Sequence, residues 1–134
     1  MIARYIALWQ SLADADLADL GDLVTPDVRF QDPFHDLTGI PAFRRLLERT
    51  RTRLEAVRFD VTDQAEGTQA WYLRWRFTAR IRGQAFEIVG MSEIHLAADG
   101  RVTHHIDHWD ASRQVYQGIP VLGWLIRLAR RFAG

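Results

Sequence analysis

The sequence predicts an α+β domain in which three N-terminal helices pack on one face of a strongly curved antiparallel sheet. Apolar residues recur at helical spacing as far as about residue 53, and from residue 55 onward they alternate with polar residues, as strands do. Gly90, inside a long predicted strand, permits the bend that such a sheet needs to curl around a cavity. The chain has 134 residues, of which 48% are hydrophobic, and we expect a single domain, residues 1–134.

The first two helices are predicted from apolar stripes. The first stripe consists of Ile2, Tyr5, Ile6, Trp9 and Leu12. Asp14 or Asp16 can cap a second helix, and Pro26 lies just past its end. The buried face of this second helix would be Leu17, Leu20, Leu23 and Val24.

A short strand follows, in which Val28, Phe30 and Asp32 share one face, and Pro33 ends it. Asp32 has two interpretations. It is a general base at the mouth of an apolar pocket, or it accepts backbone N–H bonds in the turn at Pro33.

The third helix begins near Pro41 and runs to about Arg53. Its predicted buried side is Phe43, Leu46 and Leu47. Five charged residues surround that stripe, namely Arg44, Arg45, Glu48, Arg49 and Arg51. A solvated, ion-paired helix surface explains them better than a phosphate-binding patch.

Three strands then form a meander with turns at Glu66-Gly67 and Gly83, and a third turn at Asp99-Gly100 leads to a last strand. The middle predicted strand carries an aromatic inner wall made of Trp71, Leu73, Trp75, Phe77, Ala79 and Ile81. Its other face carries a row of arginines, Arg74, Arg76, Arg80 and Arg82. The inner face continues on the next strand with Phe86, Ile88, Gly90, Ser92, Ile94 and Leu96. An apolar cone lined in this way is the expected binding site.

The last predicted strand, Arg101 to Asp110, has polar residues on both faces. Val102, His104, Ile106 and His108 oppose Thr103, His105, Asp107 and Trp109. Asp107 and His105 share a face and either act on a substrate or form a buried pair that holds the sheet together. Together with Asp32 they would supply an acid and a base from different strands.

No metal site is expected. His104 and His108 are four strand residues apart, about 13 Å, and two ligands from His105 and Asp107 are too few. His35 and His95 show no partner in the sequence, so we expect surface or turn histidines.

The charge balance excludes broad nucleic-acid binding, because 17 Arg oppose 17 acidic residues and there is no Lys. Without Cys there is no disulfide, thiolate nucleophile or thiolate metal site. The longest later apolar segment, 121–126, is far shorter than the roughly 20 residues that span a bilayer. These features favour a cytoplasmic protein.

The C-terminal tail, residues 119–134, is predicted to be an amphipathic helix of the same domain that mixes Trp, Leu, Ile and Phe with three Arg. We expect it to pack across its own domain or a dimer partner. The alternative is weak contact with an anionic membrane surface.

Three segments resemble the nuclear transport factor 2-like (NTF2-like) superfamily, in its SnoaL-like polyketide cyclase and ketosteroid isomerase-like branch. Ala3-Arg4-Tyr5-Ile6 is similar to the helix that carries the isomerase's oxyanion-hole tyrosine, and Gln31-Asp32-Pro33-Phe34 is similar to the segment that carries its general-base aspartate. Gly83 to Asp110 can be laid on the isomerase without a gap. The resemblance implies a cystatin-like cone and a homodimer that forms through the sheet.

The resemblance also implies a site. Its catalytic residues would be Asp32, Asp107, Tyr5 and His105. Its substrate-binding residues would be Trp75, Phe77, Ser92, Trp109 and Phe34. Ser92 falls where the isomerase has a protonated aspartate, so that the second oxyanion donor is replaced by a hydroxyl.

The first functional hypothesis is a small enzyme without a cofactor that acts on an apolar carbonyl-bearing or epoxide-like compound. Asp32 or Asp107 would move a proton, while Tyr5, Ser92 or His105 would stabilise developing charge. One alternative is a non-catalytic carrier of a hydrophobic ligand. The other is a membrane-surface or protein-interaction module that works through the tail.

Overall fold

The computed structural model describes residues 2–110 of the chain. It contains two α-helices, α1 (Ile2–Gln10) and α2 (Ile40–Arg53), and one turn of 3₁₀-helix, Leu20–Asp22. The strands are β1 (Val24–Gln31), β2 (Asp36–Thr38), β3 (Glu55–Glu66), β4 (Trp71–Ile81), β5 (Gln84–Leu96) and β6 (Val102–His108). The prediction of an α+β fold is confirmed. The tail helix predicted at 119–134 lies outside the described residues.

The six strands form one curved sheet in the order β2-β1-β6-β5-β4-β3. β1 runs parallel to β6, whereas every other neighbouring pair is antiparallel. The prediction of a purely antiparallel sheet was therefore wrong, and the sheet is mixed. The strand β2, a segment for which the sequence predicts no strand, covers the free edge of β1.

The second predicted helix is reduced to the 3₁₀ turn Leu20–Asp22. Leu17 and Leu20 are buried as the pattern predicts, but Val24 already belongs to β1. Pro26 disfavours a helical conformation at the residue before it, which leaves fewer than ten residues for a helix that also contains Gly21. The burial pattern was thus correct and the helix was not.

The other two predicted helices bury the expected stripes. Tyr5, Ile6 and Trp9 of α1 are buried, as are Phe43, Leu46 and Leu47 of α2. Two arginines of α2 do not sit on an ion-paired surface as predicted. Arg44 donates to the Leu17 carbonyl at 2.9 Å and Arg51 donates to the Ala15 carbonyl at 2.6 Å, so both hold the segment between α1 and β1.

The inner wall of the sheet is formed by β4 and β5, where Trp75 lies opposite Gly90. A Cβ atom at Gly90 would lie 2.6 Å and 2.7 Å from two ring carbons of Trp75, and 3.0 Å from the His108 carbonyl oxygen. Gly90 is therefore required because only a residue without a side chain leaves space for the indole ring of Trp75. Trp75 and its neighbours fill much of the cone with aromatic side chains.

The strand β6 does not alternate strictly. Val102 and His105 are both buried, and the β5–β6 pairing shifts between His95 and Leu96. Beyond this irregularity His105 and Asp107 share the inner face, as the sequence predicts. Within residues 2–110, neither helix has the length and apolar composition needed to cross a membrane.

Candidate active site

A chain of hydrogen bonds connects α1 to β6. The Tyr5 hydroxyl lies 2.7 Å from Nδ1 of His105, and Nε2 of His105 lies 2.6 Å from Oδ1 of Asp107. Tyr5 is fully buried and the His105 side chain is 4% exposed. Tyr5 lies on the apolar stripe of α1 and His105 lies on the inner face of β6, so both side chains point into the core.

A second arm reaches Asp107 from the neighbouring strands. Ser92 of β5, directly opposite Asp107 in the sheet, donates its hydroxyl to Oδ1 at 2.5 Å. The indole N–H of Trp75 on β4 donates to the Ser92 oxygen at 2.8 Å. Asp107 Oδ1 is therefore held from two directions, by His105 and by Ser92.

The direction of the protons follows from the burial of Tyr5. Burial raises the pKa of Tyr5 above its ordinary value, and the neighbouring Trp9 indole opposes that effect only in part. The Tyr5 hydroxyl keeps its proton and donates it to Nδ1. His105 then carries its own proton on Nε2 and donates to Asp107, which is the arrangement that satisfies every member of the chain.

The second carboxylate oxygen of Asp107, Oδ2, accepts no hydrogen bond from any residue in the described range 2–110. The Asp107 side chain as a whole is 14% exposed. One oxygen of Asp107 is fixed and the other is available to a bound molecule.

Asp107 lies between two spaces. The first is an open cleft of about 610 Å³, lined by Asp32, Pro33, Asp107, His108, Trp109 and Asp110. The second is an inner chamber of about 20 Å³, lined by Ile6, Trp9, Phe59, Val61, Leu73, Trp75, Ser92, His105 and Asp107. Within the described range 2–110, Asp107 is the one residue that lines both spaces.

Asp32 organises a turn at the rim of the cleft. Its Oδ1 accepts the backbone N–H of Phe34 at 2.8 Å and of His35 at 2.7 Å. Nδ1 of His35 lies 2.8 Å from the same oxygen. These are the contacts of a turn-forming aspartate, the second of the two interpretations of Asp32. Its role as a general base stays a prediction.

The predicted substrate-binding residues separate into three positions. Trp109 lines the cleft, and the Phe34 ring packs against it with 5.6 Å between ring centroids. Trp75 and Ser92 line the inner chamber. Phe77 lines neither space, because it stacks on Phe59 at a centroid distance of 4.4 Å and fills the core.

Two histidines have partners that the sequence did not indicate. His35 is not at the surface, since its side chain is 9% exposed and pairs with Asp32. His95 pairs with Glu93 at 3.0 Å, and His108 pairs with the same carboxylate at 3.1 Å. Residues three apart in a turn, or two apart on a strand, can form such pairs. The sequence spacing indicates a pair only when the local backbone conformation is known. The hydrogen bond from His95 lowers the pKa of Glu93.

Among residues 2–110, no group of three or more histidine or carboxylate side chains is arranged to hold a metal ion.

Comparison with known proteins identifies the family of the chain. The sequence profile described as a SnoaL-like domain matches residues 2–105. No curated protein sequence matches the chain.

Solved structures share the fold over most of the chain. A steroid delta-isomerase from Pseudomonas aeruginosa is 25% identical, with a TM-score of 0.64, 99% of this chain covered and 92% of that one. An LEH-like epoxide hydrolase from Mycobacterium tuberculosis is 15% identical, with a TM-score of 0.72 and coverages of 90% and 92%.

A protein with a ketosteroid isomerase-like fold from Catenulispora acidiphila, solved with trimethylamine, is 17% identical, with a TM-score of 0.71 and coverages of 84% and 89%. These structures have the NTF2-like fold that the sequence predicts. The profile match covers more than half of the chain, and the chain belongs to the SnoaL-like domain family.

Proposed function

We propose that this protein is a small enzyme that needs no cofactor and moves a proton on an uncharged, carbonyl-bearing or epoxide-like molecule, with Asp107 as the acid–base group. The observation that carries the proposal is the asymmetry of the Asp107 carboxylate. Oδ1 is held by His105 and Ser92, whereas Oδ2 has no hydrogen-bond partner among residues 2–110, and Asp107 is one of the residues that line the cleft. A carboxylate held in this way is positioned for proton transfer.

Asp107 is a better candidate than Asp32 because their hydrogen bonds differ. Asp32 uses its Oδ1 for two backbone N–H groups and for His35, so moving it would open the turn. The partners of Asp107 are side chains behind it, on the side away from the cleft. Asp32 then shapes the rim of the cleft and Asp107 performs the chemistry.

The mechanism assigns positioning roles to the groups behind Asp107. Substrate in the cleft loses a proton from the carbon next to its carbonyl group to Oδ2. Ser92 and His105 keep the carboxylate from rotating, and Tyr5 fixes the His105 ring. Asp107 then returns the proton to another atom of the same molecule, which completes an isomerisation or prepares a cyclisation.

The charge of the cleft restricts the substrate. Among the described residues 2–110, its lining includes Asp32, Asp107 and Asp110 and no arginine. A phosphate or carboxylate on the substrate would be repelled there, so we expect a neutral or positively charged compound.

The size of the inner space argues against the alternative of a carrier that encloses a hydrophobic ligand in the cone. The chamber of about 20 Å³ is far smaller than the roughly 300–1,000 Å³ of typical ligand pockets. The Trp75 and Phe59 rings line this chamber and pack edge to face with 6.0 Å between their centroids.

The proposal is tested by exchange of ketone α-protons for deuterium in D₂O, followed by NMR, with 2-indanone and cyclohexanone as probes. Wild type should accelerate exchange, and Asp107→Asn should lose about 100-fold or more of that rate. Asp32→Asn, which can still accept the turn hydrogen bonds, is the matched control and should stay within about threefold of wild type.

Circular dichroism of all three proteins establishes that they are folded. If Asp107→Asn exchanges both ketones as fast as wild type does, or if Asp32→Asn alone loses the activity, Asp107 is not the base.

A further inference from the structure

The outer face of the sheet carries a group of histidines. Three of the five histidines in the chain lie on the central strands β5 and β6 and point away from the cone. They are His95, His104 and His108, which we call the histidine cluster. Their orientation follows from Ser92 and Asp107, which pair on the inner face, because alternate residues of a strand point to opposite sides.

One carboxylate holds two members of the cluster. Oε2 of Glu93 lies 3.0 Å from Nε2 of His95, and Oε1 lies 3.1 Å from Nε2 of His108. The hydrogen bond from His95 is the main reason why the pKa of Glu93 is lowered, so Glu93 is ionised wherever histidines titrate. When both histidines take up a proton, the three side chains change from one net negative charge to one net positive charge. His108 also borders the cleft, whose carboxylates are Asp32, Asp107 and Asp110.

His104 is the third proton acceptor of the cluster, and its ring centroid lies 5.7 Å from that of His95. Burial lowers the pKa of His104, and the nearby His95 and Arg29 lower it further. Glu93 and Asp36 oppose this effect. His104 therefore takes up its proton in more acidic solution than an exposed histidine does, and it then places another positive charge on the outer face.

The outer face also carries an apolar patch between opposite charges. Arg74 pairs across the strands with Met91, and the next pair on this face is Tyr72 with Glu93. Tyr72 and Met91 are large apolar side chains that are exposed. Arg74 has no ion pair among residues 2–110, although Asp63 lies opposite it on β3. Two further pairs on this face are already formed within the chain, Arg29 with Asp36 at 2.9 Å and Arg76 with Glu87 at 3.6 Å.

We propose that a second copy of this chain docks on the outer face and that protonation of the histidine cluster releases it. The face is self-complementary. A two-fold axis near the centre of the sheet would let Glu93 of one copy pair with Arg74 of the partner subunit, and the reverse. The same contact would cover the exposed side chains of Tyr72 and Met91. Neutral histidines leave the negative charge of Glu93 available for this pair.

Protonation weakens the contact in two ways. Charged His95 and His108 pair with Glu93 within their own chain and compete with Arg74 of the partner subunit. In addition, residues near a two-fold axis face their own copies, so each histidine that becomes charged meets a like charge. The protein is thus a dimer in neutral solution and a monomer in mildly acidic solution. This device lies on the opposite side of the sheet from the Oδ1 contacts of Asp107 and does not depend on the proposed proton transfer.

The first test is sedimentation velocity at about pH 8 and about pH 5.5 with equal ionic strength, on either side of the range in which histidines titrate. The dimer dissociation constant of wild type should rise at least about 100-fold at the lower pH. With all three cluster residues replaced, as His95→Gln, His104→Gln and His108→Gln together, it should change less than about threefold. Circular dichroism at both pH values establishes that the proteins are folded.

Two results of this test would overturn the proposal. One is a wild type that is monomeric at about pH 8 or equally dimeric at both pH values. The other is a folded triple variant whose dimer is as sensitive to acid as that of wild type.

The second test leaves the histidines unchanged and uses a double-mutant cycle at about pH 8. Glu93→Gln and Arg74→Gln should each raise the dimer dissociation constant at least about tenfold, and the double variant should be within about threefold of either single variant. Arg45→Gln, on the exposed surface of α2, is the matched control and should change it less than about twofold. Effects of Glu93→Gln and Arg74→Gln that add in full would show that the two residues do not pair across an interface, and the proposal would be wrong.

Discussion

At the scale of residues, Asp32 and Asp107 differ by their partners. In the sequence, both residues continue the inward-facing positions of a strand. The two-residue period of a strand therefore predicts that each of the two side chains is buried. The period does not predict hydrogen bonds between distant segments. Asp107 meets Tyr5 through His105, and 100 residues separate that hydrogen-bonded pair along the chain. The turn around Asp32 depends on backbone geometry that Pro33 signals only in part.

The pairing of His105 with Asp107 was predictable, because two residues of separation on a strand put both on one face. The roles of Ser92 and Trp75 were not. Their hydrogen bonds depend on the register of β4, β5 and β6. The turns between these strands restrict the register, but the pairing shift between His95 and Leu96 changes it.

The burial of Tyr5 predicts a loss of stability at high pH. Burial raises the pKa of Tyr5 in the folded protein, while the unfolded chain has a value of about 10. Above that pH the unfolded chain releases a proton that the folded protein retains. Relative to Tyr5→Phe, the free energy of unfolding of wild type should fall by about 1.4 kcal/mol per pH unit above about pH 10.

Urea unfolding of both proteins at about pH 9 and about pH 11 measures this difference. Below pH 10 wild type should be the more stable by about 1–3 kcal/mol, because Tyr5→Phe leaves Nδ1 of His105 without its donor. An advantage that is equal at both pH values would show that Tyr5 ionises normally.

At the scale of elements, the sequence predicted the boundaries wrongly where a helix is short or where the paired strands are far apart along the chain. The stripe of α1 and the stripe of α2 predicted these helices correctly. The segment from Leu17 to Val24 has the same apolar spacing, but Gly21 and Pro26 reduce it to a 3₁₀ turn. A short buried segment can satisfy its burial pattern without forming a helix.

The β4–β5 hairpin depends on Gly90 for space. In Gly90→Ala the new methyl group would overlap two ring carbons of Trp75. We expect a loss of about 1–3 kcal/mol in the free energy of unfolding, because the indole ring must move and its hydrogen bond to Ser92 weakens.

Gly21→Ala is the control, since the added carbon would have an ordinary contact with Ile40 at 3.9 Å. Urea unfolding measures both variants. Equal stability of Gly90→Ala and wild type would contradict the packing of Trp75 over this glycine.

At the scale of the whole molecule, the change from helical to strand period predicted the fold class and the order of most elements. It could not predict the parallel pairing of β1 and β6. These strands are separated by α2 and by the whole meander, and no local signal records which edge of the meander β1 joins.

The outer face of the sheet exposes two large apolar side chains, Tyr72 at 38% and Met91 at 44%. Arg74 lies opposite Met91 in the sheet and Glu93 opposite Tyr72, so charges of both signs surround this patch. A surface of this kind can pair with a second copy across a two-fold axis, and we expect the homodimer that the resemblance implies.

Sedimentation velocity should give twice the 15.5 kDa mass of one chain for wild type. Met91→Glu should shift the protein toward monomer with its secondary structure unchanged. A monomeric wild type at every concentration would contradict the dimer and would leave the site within one chain unaffected.

The proposed mechanism depends on His105, which donates from Nε2 to Oδ1 of Asp107 and so leaves the other carboxylate oxygen for chemistry. The most direct measurement is the ¹⁵N NMR spectrum of His105, which distinguishes protonated from unprotonated ring nitrogens. We predict a proton on Nε2 and none on Nδ1, which accepts from Tyr5. In Tyr5→Phe the Nδ1 signal should shift the most. A proton on Nδ1 with Nε2 unprotonated would overturn this mechanism, because Asp107 Oδ1 would then face a lone pair of His105 and only Ser92 would hold it.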